Sequence, residues 1–199
     1  MHTKTQRQKI LKEIYNVVCS CQRCLDSKAD VIANAVWCRK CSDGIALPEY
    51  ESSYGIQRLA LYRCQNYMCA AVYGPHIYSH IIEEATKLNK DMSDLIDSED
   101  ESRYAATTNN LVRRYEFIKN SLPNCNVQRG RLNVLMKMLL LHDPTRHVRY
   151  AKYEIESVKH FYPARHFAHF LALLVAIKSY RKAIEDCISH SSHSRCLRN

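Results

Sequence analysis

Seven of the ten cysteines in this 199-residue chain fall between positions 19 and 69, and they come in two arrangements. Cys38 and Cys41 are separated by two residues, and Cys64 and Cys69 by four. Two close pairs of thiolates suit an ion that prefers a tetrahedron of soft ligands, because a two-residue spacer lets both sulfurs of a knuckle converge without strain at about 2.3 Å. The spacing predicts a closed structural zinc site on Cys38, Cys41, Cys64 and Cys69, against the plainer alternative of four ordinary buried cysteines. Residues 42–63, between the pairs, are compatible with a small hairpin or loop.

Cys19, Cys21 and Cys24 place three thiolates within six residues. Such a run wraps one face of a metal and leaves one tetrahedral position open. Cys125 or a histidine could fill it, although neither has a partner spacing that recommends it. The remaining option is a ligand in sequence that this chain lacks.

Other residues carry weaker signals. Cys187, His190, His193 and Cys196 recur every third residue, a pattern that suits a third metal site or a frayed polar tail. His166 and His169 sit on an apolar helical stretch with no acid beside them to suggest catalysis. The segment RHVRYAKY, Arg146 to Tyr153, mixes basic and aromatic residues, as a strand of nucleic acid would require; the alternative is a solvated helix side with tyrosines at its edge.

The formal charge of +9 is not evenly spread. Residues 1–100 carry 12 Lys and Arg against 13 Asp and Glu, and residues 101–199 carry 17 against 7. The basic excess lies along amphipathic segments, as solvated helix faces, and offers weak, salt-dependent attraction to acidic partners or nucleic acid. The start of the chain has no apolar stretch to make a secretory signal. The longest apolar run, Phe167 to Ile177, includes His169 and falls short of the ~20 residues a membrane helix needs. The expectation is a soluble protein of the cytoplasm or nucleus, with no membrane partner, whose cysteines are metal ligands rather than disulfides.

The elements that must position these cysteines are mostly helical. Only four glycines occur, which argues against a turn-rich β fold. Residues 6–15 read as a short basic helix or an extended lead-in. The cysteine-rich stretch has little periodicity, as where a metal replaces a core. After Gly74 and Pro75, Ile77, Ile81, Ala85 and Leu88 keep helical spacing, and the acidic run Asp94 to Glu101 reads as a linker or helix end. Further stripes follow: Leu111, Tyr115, Ile118 and Leu122, then Leu132, Leu135, Met136 and Leu139, then Val148, Ala151, Ile155 and Val158. The last pattern runs from about Arg165 through Phe170, Leu174, Ile177, Ile184 and Ile188, as one long helix or two. Short connections imply antiparallel neighbours. The fold class expected is mainly α: a small cysteine-rich, zinc-stapled module over residues 1–75, then an antiparallel helical, TPR-like domain over residues 76–199.

The segment RQKILKEIYNVVCSCQRC resembles the post-SET end of the SET-and-MYND (SMYD) protein-lysine methyltransferases, where a basic helix leads to an aromatic residue and then to Cys-x-Cys-x-x-Cys. WCRKC, Trp37 to Cys41, and YRCQNYMC, Tyr62 to Cys69, resemble the additional zinc knuckle of the fourth type of that family. The resemblance covers roughly residues 6–75. It implies that Cys19, Cys21 and Cys24 share a zinc with a cysteine from an Asn-His-x-Cys motif in the catalytic SET domain. It also implies that Tyr15 walls the S-adenosylmethionine and lysine channel, while Val17 stands where the family has a second aromatic. The sequence contains no Asn-His pair, no Gly-x-Gly and no MYND array of cysteines and histidine. On this reading the chain is a C-terminal piece or diverged relative of such an enzyme. It would act on a protein substrate only in an intact relative, which also supplies the S-adenosylmethionine site, and would be inactive alone. The alternative is a zinc-stapled module that binds protein partners and has no methyltransferase role.

Overall fold

The structure is a computed structural model that describes residues 4–41, 43–54, 56–98, 101–140, 143–162 and 167–196. Helix α1 spans Lys4–Tyr15, followed by the short α2 (Gln22–Leu25) and α3 (Ser27–Ala33). A four-stranded antiparallel sheet comes next: β1 (Val36–Trp37), β2 (Ile45–Ser53), β3 (Ile56–Cys64) and β4 (Val72–Tyr73), in the order β1-β2-β3-β4. The remaining elements are α4 (His76–Ile96), α5 (Glu101–Lys119), α6 (Val127–Leu139), α7 (Pro144–Phe161) and α8 (Phe167–Cys196). The protein is mainly helical, with a cysteine-rich segment around a small sheet.

The basic lead-in is helical, and Asn16 ends it. This residue adopts φ 53°, and its N–H bonds to the Lys12 carbonyl at 3.1 Å. Asparagine accepts the left-handed conformation more readily than most residues, so it serves as a helix stop. Asp26 starts α3 by accepting from the N–H groups of Lys28 and Ala29, a capping signal present in the sequence but outside the expected elements. The segment between the cysteine pairs is a hairpin, paired from Ala46↔Cys64 to Ser53↔Ile56 with an irregularity between Glu49 and Tyr50.

Side-chain bonds give the helices their directions. On α5 and α6 the Tyr115 hydroxyl meets Asn133, while the Arg129 guanidinium donates back to the carbonyls of Lys119 and Leu122 at 3.1 and 2.6 Å. Asn133 donates to Ser157 at 2.8 Å, and Lys137 pairs with Glu154. His147 and Ser179 meet at one end of the α7–α8 pair, Tyr162 and His169 at the other. The α5–α6, α6–α7 and α7–α8 pairs therefore run antiparallel. Arg129 places a positive charge at the carboxyl end of α5, the favoured end for a cation.

One apolar cluster joins the sheet to the helices. It contains Val36, Ala46 and Tyr62 from the strands, Tyr78, Ile81, Ala85, Leu88 and Met92 from α4, and Leu111, Tyr115, Ile118, Leu132, Met136 and Tyr150 from α5 to α7. The stripes expected on α4, α5 and α6 face this core. On α7 the buried line is rotated from the expected one: Tyr150, Ala151, Val158 and Phe161 are buried, while Val148 and Ile155 are half-buried. Tyr150 lies at 5.2 Å from Tyr115, centroid to centroid, so this tyrosine of RHVRYAKY has a core partner and is not offered to a nucleic-acid base.

The departure at α8 is larger. It is a single helix of 30 residues, and among its described side chains Ala172, Ala176 and Ser179 are buried. Phe170, Ile177, Ile184 and Ile188 remain about 60% exposed. Small residues allow α8 to lie close to α7, and the bulkier residues that mark the helix in the sequence are left on the far side. The side chains of Cys187, His190, His193 and Cys196 lie outside the described ones, as does His166; His169 meets the Tyr162 carbonyl at 3.2 Å. No described helix is long and apolar enough to cross a membrane.

Candidate metal centre

The four-cysteine cluster is assembled by the sheet. Cys38 follows β1, Cys64 ends β3, and Cys41 and Cys69 lie on the loops beyond them. The Cys38 N–H donates to the Gly44 carbonyl at 2.8 Å and the Cys64 N–H to that of Ala71 at 2.9 Å, bonds that fix both knuckles to the strands. Ala70, just after Cys69, sits at φ 45°, where the chain turns sharply back to β4.

The four sulfurs lie within 4.8 Å of one another. Cys38 and Cys69 are 3.7 Å apart, and Cys41 and Cys64 are 3.6 Å apart. A disulfide would need about 2.05 Å. A tetrahedron with metal–sulfur bonds of about 2.3 Å has edges of about 3.8 Å, so these spacings are those of four ligands around one ion. Gly44 fits the same geometry, because a Cβ there would stand 2.7 Å from the sulfurs of both Cys41 and Cys64. The residues present therefore suit a metal ion, and zinc is compatible with the donor set.

Cys38 has the most developed surroundings. The Tyr73 hydroxyl accepts from the Lys40 N–H at 3.0 Å and so has its proton free for the Cys38 sulfur, 3.1 Å away. Burial pushes the Cys38 thiol up, but the Tyr73 hydroxyl and the N–H groups of Cys41 and Lys40 outweigh it and bring the group down to about 6. Burial dominates at Cys64, pushed up to about 12, and it also raises Cys41. Below the cluster, Tyr78 packs edge-on against Tyr62 and Tyr73, with centroids 5.0 and 5.5 Å away, and donates to the Trp37 carbonyl at 3.0 Å. Gly44 and Tyr73 are functional positions that cysteine spacing does not reveal. A glycine three residues after Cys41 is a weak sign of close approach, and Tyr73 carries no sign in the sequence.

The second cluster brings Cys19, Cys21 and Cys24 together. Cys24 is buried, Cys19 half-buried and Cys21 exposed. The Gln8 side-chain amide bonds to both the N–H and the carbonyl of Cys19, tying this run to α1. Among the described residues no fourth Cys, His, Asp or Glu joins the three. Cys125 is buried elsewhere, between α5 and α6, where burial raises its thiol. Tyr15 ends α1 two thirds exposed, and Ile14, Val17, Val18 and Leu25, near these cysteines in the chain, are also exposed.

Comparison with family models and with curated protein sequences gives no match for this chain.

Proposed function

We propose that this chain is the post-SET and helical portion of a SMYD-type protein-lysine methyltransferase, most like the fourth type, and is inactive without a SET core. The observation that carries the reading is that three clustered thiolates follow, within a few residues, a run of exposed apolar side chains. Ile14, Tyr15, Val17 and Val18 are between 49% and 74% exposed, just ahead in the chain of a three-cysteine cluster that no fourth ligand joins among the described residues. Apolar residues on an incomplete metal site are what remains when a partner surface that supplies the fourth ligand is taken away. A SET core with an Asn-His-x-Cys motif would supply both. The other supports are sequence motifs: the basic helix before Cys-x-Cys-x-x-Cys, and the paired knuckles with two- and four-residue spacers.

In the complete enzyme S-adenosylmethionine supplies the methyl group transferred to a lysine amine. This chain contributes Tyr15 to the wall of that channel and Val17 beside it, a smaller apolar face than the aromatic of the family. The four-cysteine zinc would hold the sheet against the helices, which in turn present a surface to protein partners. The enzyme would work in the cytoplasm or nucleus.

Native mass spectrometry of the purified chain, before and during titration with a chelator, tests the reading. The expected result is one tightly held zinc and a second that leaves first, with loss of the second slowed when a SET core bearing Asn-His-x-Cys is added. An unchanged rate of loss would count against the proposal. Methyl-donor titration and a methyltransfer assay on the chain alone should give no signal, and turnover above background would overturn the claim of inactivity.

The second reading, a zinc-stapled interaction module, has its own support in the knuckle tip. Tyr67 and Met68, between Cys64 and Cys69, are 88% and 79% exposed. A chain that keeps both zincs with equal affinity and is indifferent to any SET core would favour it.

A further inference from the structure

Residues 170, 173, 177, 180 and 184 of α8 are Phe, Leu, Ile, Tyr and Ile, and their spacing alternates three and four. Such alternation brings apolar side chains back to one seam every 3.5 residues, the pattern by which two helices interlock. The five are between 48% and 63% exposed. They lie away from Ala172, Ala176 and Ser179, which α8 uses against α7.

We propose that the seam is a self-association surface, and that a second copy of this chain covers it through a twofold contact between α8 helices. The area argues for this occupant. With Phe167, stacked on Phe170 at its head and 63% exposed, the seam presents six large apolar side chains. The aromatic side chains offer about 150–250 Å² each in full and the aliphatic ones about the lower figure, which puts the exposed surface on the order of 600 Å². That stands at the top of the roughly 300–600 Å² range of the largest apolar patch on an ordinary monomer. It is close to the roughly 800 Å² that each partner buries in a stable complex.

Composition points the same way. Interfaces between partners that also live apart are about as polar as the rest of the surface, whereas homodimer interfaces are more apolar. On this seam the charges, Lys178, Arg181, Lys182 and Glu185, keep to the flanks. A single self-complementary patch is also all that a twofold dimer requires, since the same residues serve both sides.

Sedimentation equilibrium of the full chain across micromolar concentrations tests the proposal. A mass near twice 23.2 kDa is expected. Ile177→Glu and Ile184→Glu, each at a solvent-facing position of the monomer, should weaken association roughly 30-fold or more while helicity by circular dichroism and zinc content stay unchanged. Lys178→Glu, off the seam, should remain dimeric. Tyr180→Cys should give a cross-link between copies under oxidation. A monomer throughout the range overturns the proposal, as does a dimer that persists in both glutamate variants. A monomer whose seam is instead shielded by a different co-purifying protein overturns it as well.

Discussion

Gly44→Ala puts a methyl group 2.7 Å from two of the four clustered sulfurs, and neither sulfur can move without leaving the tetrahedron. Loss of one zinc per chain by native mass spectrometry is the expected outcome, and a variant with full metal content would refute the cradle. Tyr73→Phe is milder, since it removes only the O–H that reaches Cys38 and the oxygen that receives the Lys40 N–H. Loss of such an outer partner typically costs 10–100-fold in metal affinity, so competition with a chromophoric chelator should show a drop of about that size. His147 has a different role. Its Nδ1 faces Ser179 Oγ, whose own proton goes to the Val175 carbonyl, and its Nε2 is buried without a hydrogen-bond partner among the described residues. Burial, with Lys137 and Lys182 nearby, lowers its pKa, so the unfolded chain binds a proton more readily than the folded one. Stability is therefore lost as pH falls below about 6.5, the unfolded value. Thiolate protonation adds its own loss at low pH. The test is consequently the difference between wild type and His147→Leu, whose midpoint of thermal unfolding should fall less steeply between about pH 7 and pH 5.

Asn126 links two elements with one side chain. Its oxygen caps α6 by accepting from the N–H groups of Gln128 and Arg129, and its amide donates to the Ala35 carbonyl at 2.7 Å in front of β1. Asn126→Ala removes a cap worth about 1 kcal/mol and leaves a buried carbonyl unpaired at about 1–3 kcal/mol. Chemical denaturation should register a loss of roughly 2–4 kcal/mol, far more than a surface change gives. The turn after Cys69 allows the opposite experiment. A left-handed alanine costs about 1–2 kcal/mol and glycine's extra chain entropy about 0.5–1 kcal/mol, so Ala70→Gly should be neutral or stabilising by up to about 1.5 kcal/mol. A clear destabilisation would mean that the Ala70 methyl packs against something the turn needs. The apolar stripes were legible on α4, α5 and α6 because all three turn their large aliphatic side chains into one common cluster. On α7, with α6 on one side and α8 on the other, the buried line shifts to Tyr150, Ala151 and Val158.

The molecule as a whole hangs on a core that crosses from strands to helices. Val36, Ala46 and Tyr62 share a cluster with Ile81, Leu88 and Tyr115, and Trp37 donates to the Ser121 carbonyl at 3.1 Å. Metal removal from the four-cysteine cluster should therefore loosen more than the knuckles. With a strong chelator the thermal midpoint should fall in a single transition seen by both near- and far-ultraviolet circular dichroism, because the sheet's apolar residues are also the helices' neighbours. Two separated transitions would mean that the helices keep their packing after the sheet is lost.

The cysteine spacings by themselves determined which sulfurs could meet, since a two-residue spacer fixes a knuckle by local geometry alone. Helix class and the approximate span of α4 to α8 were likewise set by apolar periodicity, which needs no knowledge of neighbours. Tertiary structure alone decided the rest. Among the described residues no fourth ligand joins Cys19, Cys21 and Cys24, with Cys125 buried elsewhere, and the places of Gly44 and Tyr73 follow from how β4 and the knuckle loops close over Cys38. The outward face of α8 had to be decided the same way: periodicity states that a helix has an apolar side, but only packing states which side is covered, and it covers the small residues Ala172, Ala176 and Ser179.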